Sequence, residues 1–264
     1  MINLNDNFML SNLVEIARGA GELIMTHFRH NASVECKSDG SPVTIADKEA
    51  EDYIVKELKR LWADIPVVGE ETSSAQSLKP SELSRFWLVD PLDGTREFIN
   101  NSDEFTVNIA LIEDGLPTCG VIYAPAKDLF YIGQLEYGSY RKTHDGDWQK
   151  LPLHADSDRM TVVISRSHPT KGREEAFLAT LGDVGILKVG SSLKFCMVAE
   201  NSASLYFRAG RTMFWDSAAG HIIAKAAGAG VFHWGTDTEL TYSSDKLENP
   251  EFMVVRPKWA NLCR

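Results

Sequence analysis

The stretch Trp87-Leu88-Val89-Asp90-Pro91-Leu92-Asp93-Gly94-Thr95 determines where this chain places its most reactive groups. Its apolar start predicts a buried strand that ends on the carboxylate of Asp90. Pro91 fixes the backbone direction, and Asp93-Gly94 turns the chain sharply. Two carboxylates on one tight turn can converge on a point, and the backbone N–H groups after them can hold an anion. The same residues also form a good turn on turn chemistry alone, so this stretch does not establish a site by itself.

Outward from this stretch, the spacing of apolar residues predicts an α/β (α+β) chain. Helices are predicted over residues 8–28, 46–62, 173–181, 192–200 and 217–229. Strands are predicted over residues 34–37, 66–69, 86–89, 105–112, 117–123, 129–133, 137–142, 160–165, 186–189 and 204–207. A run of strands followed by strands that alternate with helices predicts stacked α and β layers.

The connections complete this prediction. Asp114-Gly115 and Asp145-Gly146 are typical of hairpin turns, and the polar, serine-rich residues 72–84 predict a loop or a mobile flap. We expect a single domain over residues 1–264. A join near residues 155–160 would divide it into lobes 1–157 and 158–264.

Composition restricts the function. The 264 residues carry a formal net charge of -10, with a pI of about 5.2. Such an acidic chain opposes non-specific binding to nucleic acid, whose phosphates require clustered Lys and Arg. A protein of this charge that handled a phosphate would need a few well-placed cations or bound metal ions.

The sequence also bears on location. The four cysteines are too far apart for a zinc knuckle or a redox pair, so we expect reduced thiols. The first residues lack the basic start and apolar run of a signal peptide, and no apolar stretch reaches the roughly 18–20 residues that span a bilayer. We therefore expect a cytoplasmic protein. Peripheral attachment to the cytoplasmic face of the inner membrane stays open, and so does the choice between monomer and homodimer.

Three further acidic residues lie next to predicted element ends. Glu70 follows an apolar strand, Asp47 lies in Thr44-Ile45-Ala46-Asp47, and Asp216 precedes an Ala-rich helix. Each also fits an ordinary structural role, which is a solvated loop for Glu70, a capping box for Asp47 and an N-cap for Asp216. All of them, however, offer oxygen ligands at the ends of elements, where α/β folds place their sites.

The combination favours a magnesium site. Oxygen ligands without a nearby His or Cys cluster suit Mg²⁺ better than zinc or iron. Converging carboxylates would repel one another unless cations lay between them. Two metal ions about 3.5–4 Å apart can stabilise both the attacking and the leaving oxygen of an in-line phosphoryl displacement. The sequence therefore predicts a metal-dependent phosphate-monoester hydrolase.

A resemblance to a known family supports this prediction. The stretch 87–95, Gly69-Glu70-Glu71 and Trp215-Asp216-Ser217-Ala218-Ala219-Gly220 occur in the order and at the spacings of the inositol monophosphatase superfamily. The resemblance runs from about residue 10 to residue 255. It implies a layered α-β-α-β-α sandwich of the sugar-phosphatase type and a lithium-sensitive, Mg²⁺-dependent phosphatase.

Two more segments narrow the resemblance. Ser165-Arg166-Ser167-His168 and Gly190-Ser191-Ser192-Leu193-Lys194-Phe195-Cys196 resemble the CysQ-type 3'(2'),5'-bisphosphate nucleotidases of bacteria. This resemblance implies hydrolysis of adenosine 3',5'-bisphosphate to AMP and phosphate, which clears a by-product of sulfate assimilation. An inositol or sugar monophosphatase is the alternative. A regulator that binds metal and nucleotide without turnover is a third hypothesis, which the presence of every carboxylate and Thr95 opposes.

The resemblance also implies roles for individual residues. One metal would be bound by Glu70, Asp90 and the backbone carbonyl of Leu92, a second by Asp90, Asp93 and Asp216, and a third, looser ion by Glu70. Thr95, oriented by Glu70 or Asp47, would help to deprotonate the attacking water. The implied substrate contacts are Glu70, Leu92, Asp93, Gly94, Thr95, His168, Ser191, Lys194 and Asp216, with Arg166 as a weaker candidate.

Several of these side chains fit a purely structural role equally well or better. Ser191 or Ser192 is equally well placed to cap the helix that follows. Lys194 on a helix is more often a solvated charge, and Arg208 and Arg211 fit surface charge as well as phosphate binding.

Overall fold

The computed structural model describes residues 4–30, 34–36, 42–72 and 79–263. The α-helices within these ranges are α1 (Phe8–His27), α2 (Ile45–Leu61), α3 (Thr95–Ile99), α4 (Arg173–Thr180), α5 (Leu193–Glu200) and α6 (Phe214–Ala226). Short 3₁₀ helices cover Leu4–Asp6, Pro80–Glu82, Pro125–Lys127 and Pro257–Cys263. None of the helices in the described ranges is both long and apolar enough to cross a bilayer.

Two larger sheets form the framework. The first has seven strands in sequence order, β3 (Val67–Gly69), β4 (Arg85–Asp93), β5 (Thr106–Glu113), β6 (Leu116–Ala124), β7 (Leu129–Gln134), β8 (Gly138–Thr143) and β9 (Gln149–Lys150). The second has five strands in the order β11 (Gly185–Val189), β10 (Thr161–Ser165), β12 (Leu205–Arg208), β14 (Phe252–Val255) and β13 (Gly230–His233). A separate antiparallel pair joins β1 (Val34–Cys36) to β2 (Pro42–Thr44).

The helices and sheets stack in five layers. Helices α1 and α2 pack on one face of the seven-stranded sheet. Helices α5 and α6 lie between the two sheets, where they share one large hydrophobic core with both. Helix α4 and the C-terminal 3₁₀ segment cover the outer face of the five-stranded sheet. The prediction of an α-β-α-β-α sandwich is confirmed.

Two glycines bring α6 close to the seven-stranded sheet. A Cβ atom on Gly133 would lie 2.7 Å from the Cα of Ile223, and one on Gly120 would lie 2.8 Å from Ile222. Because real Cβ atoms do not approach so closely, a side chain at either position would push α6 away. This close packing holds α6, whose first turn carries Asp216, against the seven-stranded sheet.

The helix boundaries depart from prediction at α6. The sequence placed Asp216 before a helix that begins at residue 217, and that position is wrong, since α6 begins at Phe214. The Asp216 carboxylate accepts a hydrogen bond from the Met213 N–H at 2.7 Å, which stabilises an earlier first turn. The capping box predicted for Thr44 and Asp47 at the start of α2 is confirmed.

Several short elements were not predicted, namely β2, α3, β9, β13 and β14. Strands β13 and β14 pair with each other in antiparallel register, and β14 also pairs with β12. Such pairing depends on partners far away in sequence, so local patterning does not reveal it. Of the predicted loop over residues 72–84, residues 73–78 lie outside the described ranges. The chain leaves the first sheet at Lys150 and enters the second at Thr161, while the division into lobes stays a prediction.

Candidate active site

A cavity of about 290 Å³ opens where β4 ends and where α5 and α6 begin. Its lining includes every predicted catalytic, metal and substrate residue apart from Asp47 and the weaker candidate Arg166, namely Glu70, Asp90, Leu92, Asp93, Gly94, Thr95, His168, Ser191, Lys194 and Asp216. Residues from five separated segments are thus brought together in one site. Arg166 instead pairs with Glu104 at 2.6 Å.

The carboxylates meet at the acidic part of this cavity. Oxygen atoms of Asp90, Asp93 and Asp216 all lie within 4.8 Å of one another. Glu70 lines the same cavity, and its side chain forms a hydrogen bond with Asp90. This convergence was expected from the sequence, although the assignment of each carboxylate to a particular ion stays a prediction.

Burial and mutual repulsion disfavour the ionised carboxylates of the cluster. Burial raises the pKa of Asp90 well above its usual value, and the neighbouring charges of Glu70, Asp93 and Asp216 raise it further. Burial, followed by the charges of Asp93 and Glu70, raises the pKa of Asp216 to about 8. Like charges held this close favour protonation unless a cation neutralises them. An all-oxygen donor set of this kind suits Mg²⁺.

A β-bulge and a left-handed turn orient the carboxylates of Asp90 and Asp93 towards the cavity. The pairing of β4 with β5 shifts by one residue between Asp90 and Asp93. The Leu92 N–H donates to Asp90 Oδ1 at 3.0 Å, which fixes that carboxylate. Gly94 then adopts a φ of 95°. A Cβ atom there would lie 3.2 Å from the Glu104 carbonyl oxygen, so both backbone conformation and space favour glycine.

Asp47 reaches the site through Thr95. The Thr95 hydroxyl lies 3.2 Å from Asp47 Oδ1 and 3.3 Å from the Leu92 carbonyl oxygen, and it can donate to either. The other oxygen of Asp47 accepts hydrogen bonds from the Thr44 N–H at 2.8 Å and the Thr44 hydroxyl at 2.7 Å. Asp47 is therefore both a member of the capping box of α2 and a buried acceptor for Thr95, which lines the cavity.

Glu51 supports the site and was missed by the sequence analysis. Its buried carboxylate accepts hydrogen bonds from the backbone N–H groups of Glu71 at 2.8 Å and Thr72 at 2.9 Å. A Cβ atom on Gly69 would lie 2.5 Å from the Glu51 carboxyl carbon, so glycine is needed for this approach. Glu51 follows Asp47 by four positions and shares its helix face, which is the signal that could have revealed it.

Cationic side chains form a second group in the same cavity. Lys194 is buried, and its Nζ donates to the Ser191 carbonyl oxygen, so the alternative of a solvated surface charge is wrong. Burial lowers the pKa of Lys194. Burial also lowers the pKa of His168, and the neighbouring charges of Arg208, Arg96 and Lys194 lower it further. Arg208, Arg96 and Lys194 therefore all lie close enough to His168 to disfavour its protonation.

Besides Arg96, two further arginines outside the predicted site line the cavity. They are Arg208, on β12, and Arg211, which follows it in the loop before α6. Arg208 also lies 3.5 Å from the buried carboxylate of Glu174. The sequence around Gly210 does not predict that these arginines lie at the site, because only the packing of β12 places them at the cavity.

The two serines before α5 do not act as helix caps. Ser192 occupies the N-cap position without a capping hydrogen bond from its side chain. Its hydroxyl instead donates at 2.7 Å to Asp93 Oδ2, which the sequence did not predict. The hydroxyl of Ser191 lies 2.7 Å from that of Thr106.

Known proteins share both the sequence pattern and the fold that build this site. The sequence model described as "Inositol monophosphatase family" matches residues 6–259. The 3'(2'),5'-bisphosphate nucleotidase CysQ of Salmonella typhimurium is 44% identical over 250 residues, which cover 94% of this chain and 99% of the relative. The protein of the same name from Escherichia coli K12 is 43% identical over 249 residues, or 93% of this chain and 99% of that one.

A solved structure also resembles this chain over nearly its whole length. The crystal structure of CysQ from Bacteroides thetaiotaomicron, described as a bacterial member of the inositol monophosphatase family, superposes with a TM-score of 0.82 at 36% sequence identity. The match covers 96% of this chain and 99% of the other. An inositol monophosphatase from Thermotoga maritima, at 24% identity, has a TM-score of 0.78 with 98% and 95% coverage, which shows a shared fold.

Proposed function

The chain belongs to the inositol monophosphatase family, and on that premise we propose that it is a Mg²⁺-dependent 3'(2'),5'-bisphosphate nucleotidase. Its substrate is adenosine 3',5'-bisphosphate, and its products are AMP and phosphate. Similarity to the CysQ nucleotidases over nearly the whole chain supports this proposal.

One structural observation carries the substrate assignment. The same cavity contains a cluster of carboxylates and a separate group of cationic side chains, of which Lys194 is buried. A substrate with a single phosphate would need the carboxylates and their metal ions alone. The buried Lys194 would then lack an anionic ligand, which is costly for a charged group, and the half-buried Arg208 would keep only its pair with Glu174 at 3.5 Å. A second phosphate on the substrate accounts for both groups.

The carboxylates fit the metal ions that the family implies. Glu70, Asp90 and the Leu92 carbonyl would bind one Mg²⁺, and Asp90, Asp93 and Asp216 a second, with a third, looser ion at Glu70. When bound, such ions supply positive charge to the phosphoryl group and lower the pKa of a coordinated water.

Thr95 and Asp47 are placed to accept the proton of the attacking water. The Thr95 hydroxyl donates to Asp47, so its lone pairs are available to accept a hydrogen bond from water. As the water oxygen bonds to phosphorus, its proton passes to Thr95 Oγ1, and the Thr95 proton passes to Asp47. The bond between phosphorus and the 3'-oxygen of the ribose breaks, and that oxygen takes a proton from solvent.

The remaining residues hold the substrate. The backbone N–H groups of Gly94 and Thr95, at the left-handed turn, would bind the phosphate that is removed. Lys194 and Arg208 would bind the second phosphate, with Ser191 and His168 beside the nucleoside. Arg211 lines the same cavity and adds to its positive charge.

A reducing compartment is consistent with this role. Cys36, Cys119 and Cys196 are free cysteines, and the last two are buried. We infer a cytoplasmic enzyme from this cysteine chemistry.

A substrate panel tests the proposal. We would measure kcat/KM with Mg²⁺ for adenosine 3',5'-bisphosphate, adenosine 3'-monophosphate and inositol 1-phosphate. The bisphosphate should be the best substrate, because only it engages both groups of the cavity. A clear preference for inositol 1-phosphate would refute the nucleotide assignment and would favour the monophosphatase alternative.

A matched pair of variants sharpens this test. Lys194→Met should lower kcat/KM for the bisphosphate far more than for adenosine 3'-monophosphate, since the second phosphate loses its buried cation. Lys225→Met removes a lysine of α6 that pairs with Glu239 at 2.5 Å and does not line the cavity. In that control, the ratio of kcat/KM for the bisphosphate to kcat/KM for adenosine 3'-monophosphate should be unchanged.

A further inference from the structure

Ser192, the residue before α5, is in direct contact with the carboxylate cluster. Its side chain is 2% exposed, and its hydroxyl lies 2.7 Å from Asp93 Oδ2 and 2.9 Å from the Asp216 carbonyl oxygen. It also accepts a hydrogen bond of 2.8 Å from Nδ2 of Asn108. A hydroxyl has one proton, and because Asn108 occupies a lone pair, that proton is directed towards Asp93 and Asp216.

We propose that Ser192, oriented by Asn108, is a positioning residue that fixes the Asp93 carboxylate for Mg²⁺ binding. This inference rests on the proposed metal-dependent function, and it concerns how the chain prepares that site. The hydrogen bond restrains one oxygen of Asp93, and the carboxylate keeps lone pairs available for a cation. Partners of this kind commonly orient the ligands of metal ions in proteins.

The support for Ser192 comes from a buried network. Asn108 lies on β5 opposite Asp90 of β4, and its Oδ1 accepts a hydrogen bond of 3.0 Å from the Thr106 hydroxyl. Thr106 in turn lies opposite Asp93. All of these side chains except that of Asp93 are buried. Because buried polar groups that satisfy one another resist rearrangement, the network holds Ser192 in one position.

The position of Ser192 also links the two halves of the site. Asp93 ends β4 in the seven-stranded sheet, whereas the Asp216 carbonyl belongs to α6 between the sheets. One hydroxyl therefore contacts a side chain and a backbone group on two elements that both supply carboxylates. The two hydrogen bonds of the Ser192 hydroxyl would therefore resist a small change in the distance between β4 and α6.

Calorimetry without substrate tests the proposal directly. We would titrate the metal-free protein with Mg²⁺ and compare the dissociation constants of the wild type, Ser192→Ala and Ser192→Thr. The alanine variant should bind Mg²⁺ about 10- to 100-fold more weakly, because the Asp93 carboxylate loses its restraint. The threonine variant keeps the hydroxyl and should recover most of the affinity.

Ser139→Ala is the matched control. Ser139 is also a fully buried serine, but its hydroxyl donates to the Ile132 carbonyl oxygen at 2.9 Å, in the β7–β8 hairpin and outside the cavity. It should bind Mg²⁺ as the wild type does. A comparable loss of affinity in this control would overturn the proposal, because any buried serine would then have the same effect.

Thermal melts of the metal-free proteins show whether each variant is folded before its Mg²⁺ affinity is compared. Should Ser192→Ala fail to fold, Ser192→Cys replaces it, since cysteine is similar in size and its thiol is a weak donor. A folded variant that lacks the hydroxyl and binds Mg²⁺ as tightly as the wild type would overturn the positioning role. A wild type that binds no Mg²⁺ would instead refute the proposed metal site itself.

Discussion

Thr95 and Asp47 are 48 positions apart in the chain, yet the Thr95 hydroxyl donates a hydrogen bond to Asp47 Oδ1 at 3.2 Å. The contact joins the first turn of α2 to the turn after β4. Because Thr44 already restrains the other oxygen of Asp47, the acceptor for Thr95 is held in place by the helix cap itself. Local helix-capping chemistry and proposed proton transfer thus depend on one carboxylate.

Removal of the Thr95 hydroxyl should impair turnover more than substrate binding. We expect Thr95→Ala to lower kcat by about 10²- to 10⁴-fold, the range typical of general acid–base groups. The KM for adenosine 3',5'-bisphosphate should change little, since the cations that hold the second phosphate remain. Thr95→Ser keeps the hydroxyl and should retain most of the activity. Equal loss in both variants would argue against a role for the hydroxyl.

Substitution of Asp93 should have opposite effects on activity and on the stability of the metal-free protein. Asp93→Asn should lower turnover by orders of magnitude, because a proposed metal ligand loses its charge. In the absence of metal it should stabilise the fold, by about 1 kcal/mol, since one of several repelling carboxylates is neutralised. Steady-state kinetics and urea unfolding in EDTA check the two effects. Unchanged turnover would reject the metal assignment.

Glu174 should control the KM for the bisphosphate through Arg208. Its buried carboxylate accepts the N–H groups of Ala209 at 2.8 Å and Gly210 at 3.2 Å, and it pairs with Arg208 at 3.5 Å. Glu174→Gln should raise this KM by about tenfold with kcat nearly unchanged, because a charge-assisted contact that holds Arg208 is weakened. Glu175→Gln, on an exposed neighbour in α4, is the control. A change of kcat alone would contradict the prediction.

The hydrogen bonds that join Glu239 to His221 and Lys225 should make stability depend on pH. The hydrogen bond from His221, with a further contribution from Lys225, lowers the pKa of Glu239 to about 2. A lowered carboxyl pKa contributes stability above its unfolded value of 4.5, and that stability is lost as pH falls towards 2. Glu239→Gln should therefore cost about 1–2 kcal/mol near pH 7 after allowance for solvent screening.

Urea unfolding at several pH values checks this dependence. The difference in free energy of unfolding between the wild type and Glu239→Gln should be constant above about pH 5 and should shrink as pH falls below about 4.5. Glu136→Gln, at an exposed position in the turn between β7 and β8, provides a control without a buried partner. If this difference in free energy of unfolding grew on acidification, the pKa of Glu239 would be raised in the folded protein rather than lowered, and the prediction would be wrong.

Much of the architecture could be predicted from local pattern. The long helices α1 and α2 and the central strands β5 to β8 lie within a few residues of their predicted bounds, because each has a clear apolar period. The capping box of Thr44 and Asp47 was also local. Asp216 was misplaced relative to its helix, because a carboxylate before an apolar run fits the N-cap as well as the third helical position.

The amino-acid sequence by itself determined the kind of chemistry: oxygen ligands at the ends of elements, an acidic chain that needs cations, and glycines where the backbone must turn. Only the tertiary structure decided which polar groups serve that chemistry. Ser192 reaches Asp93 across 99 positions, and Lys194 is buried rather than solvated, because the packing of α5 and α6 between two sheets sets both environments. Residue type and spacing encode the local conformation, whereas burial and long-range hydrogen bonds arise only when distant segments pack together.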